Sequence, residues 1–234
     1  MVQTYLNNPG FFAILLKLFP MRKEERFRRV LEYFRENNPQ AETELIYTEP
    51  YQLVVAVILS AQCTDKRVNL ITLPFFSRFP DAASLAVADA ADVFELIRSC
   101  SYPNNKTRSL IGMAKSLVEN YGGILPADVD ELQKLPGIGR KTANVLASVI
   151  YNMPVLAVDT HVFRVSDRIG LTTNAKNPLQ AEQQLVRHIP ENLRAIAHHW
   201  LILHGRYICI ARKPKCAACG LNSICRYFLT NQAT

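Results

Sequence analysis

No segment of this 234-residue chain sustains the apolar–polar alternation of a half-buried strand, so a sheet has little support. No internal repeat is present, which excludes a solenoid, and no low-complexity run is long enough to act as a tether between domains. Any two lobes must therefore pack closely. The apolar run from Phe11 to Phe19 contains Lys17 and is too short to span a bilayer. It also lacks a basic leader and a small-residue cleavage site, so it does not read as a secretory signal, and a cytoplasmic protein without membrane attachment is expected. Acidic residues are scarce in the last third: from Pro154 to Thr234 there are four Asp or Glu against ten Lys or Arg, in a chain whose formal net charge is +7. That imbalance favours a polyanionic partner, with a merely solvated basic surface as the alternative.

What is present is helical pattern almost throughout. With 49% hydrophobic residues the chain can bury one large core or two of about 100 residues each. Apolar spacings of three and four recur in Phe27–Val30–Leu31–Phe34, Val93–Leu96–Ile97 and Ile111–Ala114–Leu117–Val118. Asp81, Asp92 and Asp128 stand where helices could start, which suits their capping chemistry. The stretch from Pro50 to Asp65 is apolar on all sides until Gln62, predicting a buried helix whose polar end emerges at a surface. An amphipathic helix opens near Met21, which leaves residues 1–20 as an appended segment or an upstream start.

The most informative stretch is LPGIGRKTANV, residues 135 to 145. Asp130 to Leu135 reads as a short helix and Arg140 to Tyr151 as a second, with Ala143, Leu146, Ala147 and Ile150 inward. Only Pro136, Gly137, Ile138 and Gly139 lie between. Glycines at 137 and 139 permit unusual backbone angles and leave amides uncovered, and those amides meet the positive end of the second helix dipole. This helix-hairpin-helix pattern suits a phosphate of nucleic-acid backbone and supplies position rather than base reading.

Lys141 falls in the first turn of the second helix, on a strip with Asn144 and Ser148 that the spacing turns away from the apolar face. The dipole there disfavours the ammonium form and so favours a nucleophilic amine, although spacing alone favours a phosphate contact instead. Asp159 stands eighteen residues later, before THVFRV. It suits an N-cap, and a capping carboxylate can also do chemistry.

Cys209, Cys216, Cys219 and Cys225 are spaced C-x6-C-x2-C-x5-C, with a basic run between the first two. Four cysteines so close in a cytoplasmic chain argue for a metal centre, and thiolates alone leave zinc and a [4Fe–4S] cluster both open. Cys63 and Cys100 lie far away in sequence and read as packing residues.

Taken together, LPGIGRKTAN, AVDTHVFRV, HHWLILHGRYIC and the cysteine spacing resemble the endonuclease III family of the helix-hairpin-helix superfamily, from about Lys23 to Arg226. The resemblance implies an all-α fold in which residues 43–153 form a six-helix lobe containing the hairpin. Residues 21–42 and 154–234 would form a second lobe, joining the N-terminal helix to the iron–sulfur region, with 1–20 as an extension. It implies a DNA glycosylase and abasic-site lyase that excises oxidised pyrimidines and cleaves the strand by β-elimination. Lys141 would be the nucleophile, Asp159 the catalytic carboxylate, and the four cysteines the ligands of a [4Fe–4S] cluster that is structural and positions DNA. The partner would be double-stranded DNA carrying damaged bases or abasic sites, and the protein a nucleoid-associated monomer.

The remaining DNA contacts implied are Gly137 and Gly139 of the hairpin and Arg212, Lys213 and Lys215 between the cysteines. Gln62 corresponds to the family residue that fills the gap left by a flipped nucleotide. The second filler is usually a leucine in a GLYxxKA-like loop, and here the loop reads SYPNNKT, with Tyr102 at that position followed by Pro103. The adenine glycosylase branch shares the scaffold and cluster but usually lacks a lysine at the position of Lys141.

Overall fold

The computed structural model describes residues 21–231, so the reading of residues 1–20 as an extension lies outside the described residues. Twelve α-helices run through the described residues, and no strand occurs among them. They are α1 (Lys23–Asn37), α2 (Pro50–Ser60), α3 (Asp65–Arg78), α4 (Ala82–Ala86), α5 (Ala90–Ile97), α6 (Pro103–Tyr121), α7 (Val129–Lys134), α8 (Arg140–Tyr151), α9 (Thr160–Ile169), α10 (Pro178–Leu185), α11 (Arg194–Tyr207) and α12 (Arg226–Asn231). None is long and apolar enough to cross a membrane.

The chain divides into two compact units. One is continuous, residues 43–157, and holds α2 to α8: six helices of at least six residues and the single turn α4. The other joins residues up to 42 to residues from 158 onward. The division falls four residues beyond the expected 153/154 boundary. Residues 154–157 stay with the continuous unit because Ala157 is buried in its core and Leu156 O accepts a bond from Asn144 Nδ2 at 3.4 Å.

In the continuous unit the core is built on α2, where every residue from Leu53 to Leu59 is buried. Such a helix has no polar face of its own, so neighbours must surround it. Local chemistry sets the helix starts. Asp81 accepts the Ser84 amide in a reciprocal capping box, and Asp128 accepts the amides of Asp130 and Glu131. Asp92 is not a cap: it lies inside the first turn of α5, and Asp89 caps that helix by accepting the Ala91 amide. On α6 the buried stripe is Leu110, Met113, Ala114 and Leu117, rotated from the expected one, and Val118 is exposed.

The second unit closes because aromatic residues distant in sequence meet. Phe34 of α1 stacks on Trp200 of α11, ring centroids 5.9 Å apart, and the Trp200 indole N–H donates to Asn38 O at 2.7 Å. Phe27 stacks on His188, and the Arg26 guanidinium donates to Ile224 O. Burial of such rings supplies the free energy to return the chain's late residues to its early ones.

Candidate functional site

The hairpin between α7 and α8 is anchored by apolar side chains and turned by one glycine. Leu132, Leu135 and Ile138 are buried, while Pro136, Gly137 and Gly139 between and around them are exposed. Gly137 has φ +82, and a Cβ there would stand 2.7 Å from Ser109 Cβ, so both backbone angle and space exclude a side chain. Gly139 differs. Its φ of −89 and ψ of 175 are open to any residue, and a Cβ would meet nothing within 4 Å. What Gly139 provides is an N-cap position for α8 with no side chain to cover the helix start.

Lys141 is half-buried in the first turn of α8. The polar strip expected beside it does not exist as a surface. Asn144 and Ser148 are buried, Ser148 Oγ donating to Val145 O at 3.0 Å, because residues 143 to 148 are covered on every side. Lys141 is thus the polar start of a buried helix rather than one member of an exposed stripe.

Asp159 belongs to the other unit and is the N-cap of α9. Its Oδ1 accepts both the His161 and Val162 amides, each at 2.8 Å. Neither capping bond uses Oδ2, so the cap fixes the carboxylate's orientation through one oxygen.

Gln62 and Tyr102 lie in the continuous unit, at the end of α2 and the start of α6. Both are exposed and both hold positive φ, 54 and 55. Their turns are joined by Ser101 Oγ, which donates to Gln62 O at 2.6 Å. Beneath them Lys106 is buried and donates to Leu59 O at 2.7 Å and Ala61 O at 2.8 Å, capping the C-terminus of α2 with a cation. Sequence reading missed Lys106. Its signal was a lysine one turn into α6, opposite a helix ending without a C-terminal glycine.

Cys209, Cys216, Cys219 and Cys225 line one pocket together with Ile169 and His204. Burial pushes the Cys219 and Cys225 thiols up, so a metal must displace their protons on binding. The loop bearing these cysteines is pinned by two arginines of α9 that sequence reading also missed. Arg164 donates to Gly205 O at 2.8 Å and Cys209 O at 3.2 Å. Arg168 donates to Ile210 O at 2.8 Å and Ala211 O at 2.9 Å, with Cys209 Sγ 3.6 Å away. Arg212, Lys213 and Lys215 are exposed on the same loop. Cys63 and Cys100 pack as expected, but against each other as well as against the core.

Residues 55–191 match the HhH-GPD superfamily of base excision DNA repair proteins, and residues 209–225 match the iron–sulfur binding domain of endonuclease III. Endonuclease III of Rickettsia felis is 45% identical over 200 residues, 86% of this chain and 93% of that protein. Endonuclease III of Escherichia coli strain K12 is 40% identical over 207 residues, 88% of this chain and 97% of that one. The fold is similar to that of a trapped endonuclease III–DNA covalent intermediate, with TM-score 0.86 and 38% identity, covering 91% of this chain and all of that one. A non-covalent endonuclease III–DNA complex gives TM-score 0.87 at 37% identity, covering 92% and all of the respective chains. The chain belongs to the endonuclease III family of the HhH-GPD superfamily, iron–sulfur DNA glycosylases and abasic-site lyases of base excision repair.

Proposed function

We propose that this enzyme removes oxidised pyrimidines from duplex DNA and then nicks the abasic strand on the 3′ side by β-elimination through a Schiff base on Lys141. The observation that carries the reading is the position of Lys141, half-buried in the first turn of α8, two residues behind a glycine hairpin suited to a phosphate. An oxidised pyrimidine has lost part of its stacking, so extruding it costs less than extruding an intact base. Lys141 attacks C1′ as a neutral amine. Asp159 stabilises positive charge or handles a proton as the glycosidic bond breaks, while its Oδ1 keeps the two capping bonds. Gly137 and Gly139 approach the backbone phosphate, Gln62 and Tyr102 fill the space left by the flipped nucleotide, and Arg212, Lys213 and Lys215 contact phosphates.

The same reading assigns the four-cysteine pocket to a [4Fe–4S] cluster. The four thiols line one pocket, and the segment that carries them matches the iron–sulfur binding domain of endonuclease III, which supports a cluster over a lone zinc ion. When bound, the cluster cross-links the four thiolates, and the scheme asks no electron transfer of it.

Borohydride reduction in the presence of an abasic duplex tests the nucleophile directly. The parent protein leaves a covalent adduct, and Lys141→Gln leaves none while keeping DNA affinity within a few-fold, since at most one phosphate-like contact is lost. Undiminished nicking by the purified variant overturns the assignment.

A further inference from the structure

Besides the four cysteines of the metal loop the chain carries two others, Cys63 and Cys100. Their sulfurs lie 3.9 Å apart, about 1.9 Å more than a disulfide bond requires. Cys63 directly follows Gln62, and Cys100 stands two residues before Tyr102. The thiols therefore face each other across the base of the two positive-φ turns, which already touch through Ser101 Oγ and Gln62 O. Lys106 holds the framework behind them by bonding Leu59 O and Ala61 O, so the sulfurs are kept together by the fold rather than by chance approach.

We propose that Cys63 and Cys100 form a reversible disulfide that locks the Gln62 and Tyr102 turns to one another and weakens the enzyme's grip on duplex DNA. The consequence for DNA rests on the assignment of Gln62 and Tyr102 given under the proposed function. Drawing the sulfurs together pulls both turns toward their common base and removes the freedom each needs to enter a base stack. Residues held at positive φ have few alternative conformations through which to relieve that pull.

The chemistry balances with a small disulfide such as oxidised glutathione as oxidant. Cys63 is partly exposed and meets it first. The Cys63 thiolate attacks one sulfur, forms a mixed disulfide and releases one glutathione thiol. Cys100 then gives up its proton, attacks Cys63 Sγ and releases the second. The two protein thiols lose two electrons and two protons, and the small disulfide gains them as two thiols. Burial pushes the Cys100 thiol up to about 11, the nearby Cys63 adds to this and the Lys106 ammonium opposes it, which suits Cys100 to the second, intramolecular step.

The test uses the full-length protein with its cluster, incubated with oxidised glutathione, alkylated and digested for mass spectrometry. The Cys63 peptide should be found joined to the Cys100 peptide in the parent, not in Cys63→Ser, and freed by dithiothreitol. Visible absorption should persist, showing the four metal-loop cysteines untouched. Affinity for a duplex bearing a stable abasic-site analogue should fall roughly tenfold on oxidation and return on reduction, as expected when most molecules are held out of the binding-competent state. Cys63→Ser and Cys100→Ala should show no such change. Both thiols alkylated separately, a stable glutathione adduct on Cys63 alone, or a joined peptide with unchanged affinity would each overturn the proposal. Reduced Gln62→Ala and Tyr102→Ala proteins that bind as tightly as the parent would instead remove the DNA assignment of the turns, a failure readable apart from the cross-link itself.

Discussion

The glycine hairpin and the cysteine loop are both short, irregular segments of this enzyme, yet they are held by different forces. The hairpin is pinned from inside, by Leu132, Leu135 and Ile138 buried to within a few per cent. The loop is anchored at one end only: no residue from Cys209 to Gly220 is buried, that stretch's one regular piece being the single turn Cys216–Ala218, while Leu221 and Ile224 are buried just before Cys225. Arginine bonds hold the carbonyl groups of its exposed stretch, and its four cysteines line one pocket within a segment that matches an iron–sulfur binding domain. An apolar anchor acts through area removed from water and tolerates small displacements. A metal-centred loop depends on every ligand at once.

The largest effect should therefore come from Cys219→Ser. The purified parent should be brown, with iron in the amount of one cluster per chain, and the variant should lose colour and iron together with protease resistance of the C-terminal residues. Residues 43–157 should keep their protection from hydrogen exchange. Equal loss of protection in both units would erase the contrast between them, and stoichiometric zinc without colour in the parent would reject the cluster.

Asp159→Asn sharpens the comparison next, because Asp159 caps the helix whose Arg164 and Arg168 hold the loop. Asparagine keeps an acceptor oxygen for the His161 and Val162 amides, so cluster content and melting temperature should hardly move. Turnover should fall on the order of 10²-fold if the carboxylate charge takes part in chemistry. Near-normal turnover would reduce Asp159 to a cap.

A smaller effect is expected from Gly137→Ala, where the positive φ and the Ser109 contact cost about 1–3 kcal/mol of stability in chemical denaturation. Gly139→Ala should leave stability within about 1 kcal/mol, since its angles and surroundings accept a Cβ, while DNA affinity falls. Equal destabilisation by the two would contradict the distinction. Arg168→Ala should cost about 1–2 kcal/mol for two lost carbonyl bonds, confined to the loop and seen as easier cluster loss on mild heating. Unchanged cluster retention would show that the thiolates order the loop unaided.

Much of this could be read before any coordinates. The buried character of α2 followed from an apolar run with no polar face, and the limits of α8 from the glycines before it and the period within it. The reading failed where burial overrode pattern. Asn144 and Ser148 satisfy their polar groups inside the fold, so their spacing imitated an exposed stripe. Asp92 could have been a cap, but Asp89 stood three residues earlier with the same chemistry.

By itself the amino-acid sequence determined the helical class, the hairpin with Lys141 behind it, the capping role open to Asp159 and a cysteine spacing suited to a metal centre. Each of these rests on interactions within a few turns of chain, where residue type and spacing are sufficient. Only the tertiary structure decided that Lys106 caps α2 from 45 residues or more away, that Arg164 and Arg168 hold the cysteine loop, and that Cys63 meets Cys100. Those contacts join residues far apart in sequence, and their partners are backbone carbonyls or a second thiol, which carry no distinguishing mark in the order of amino acids.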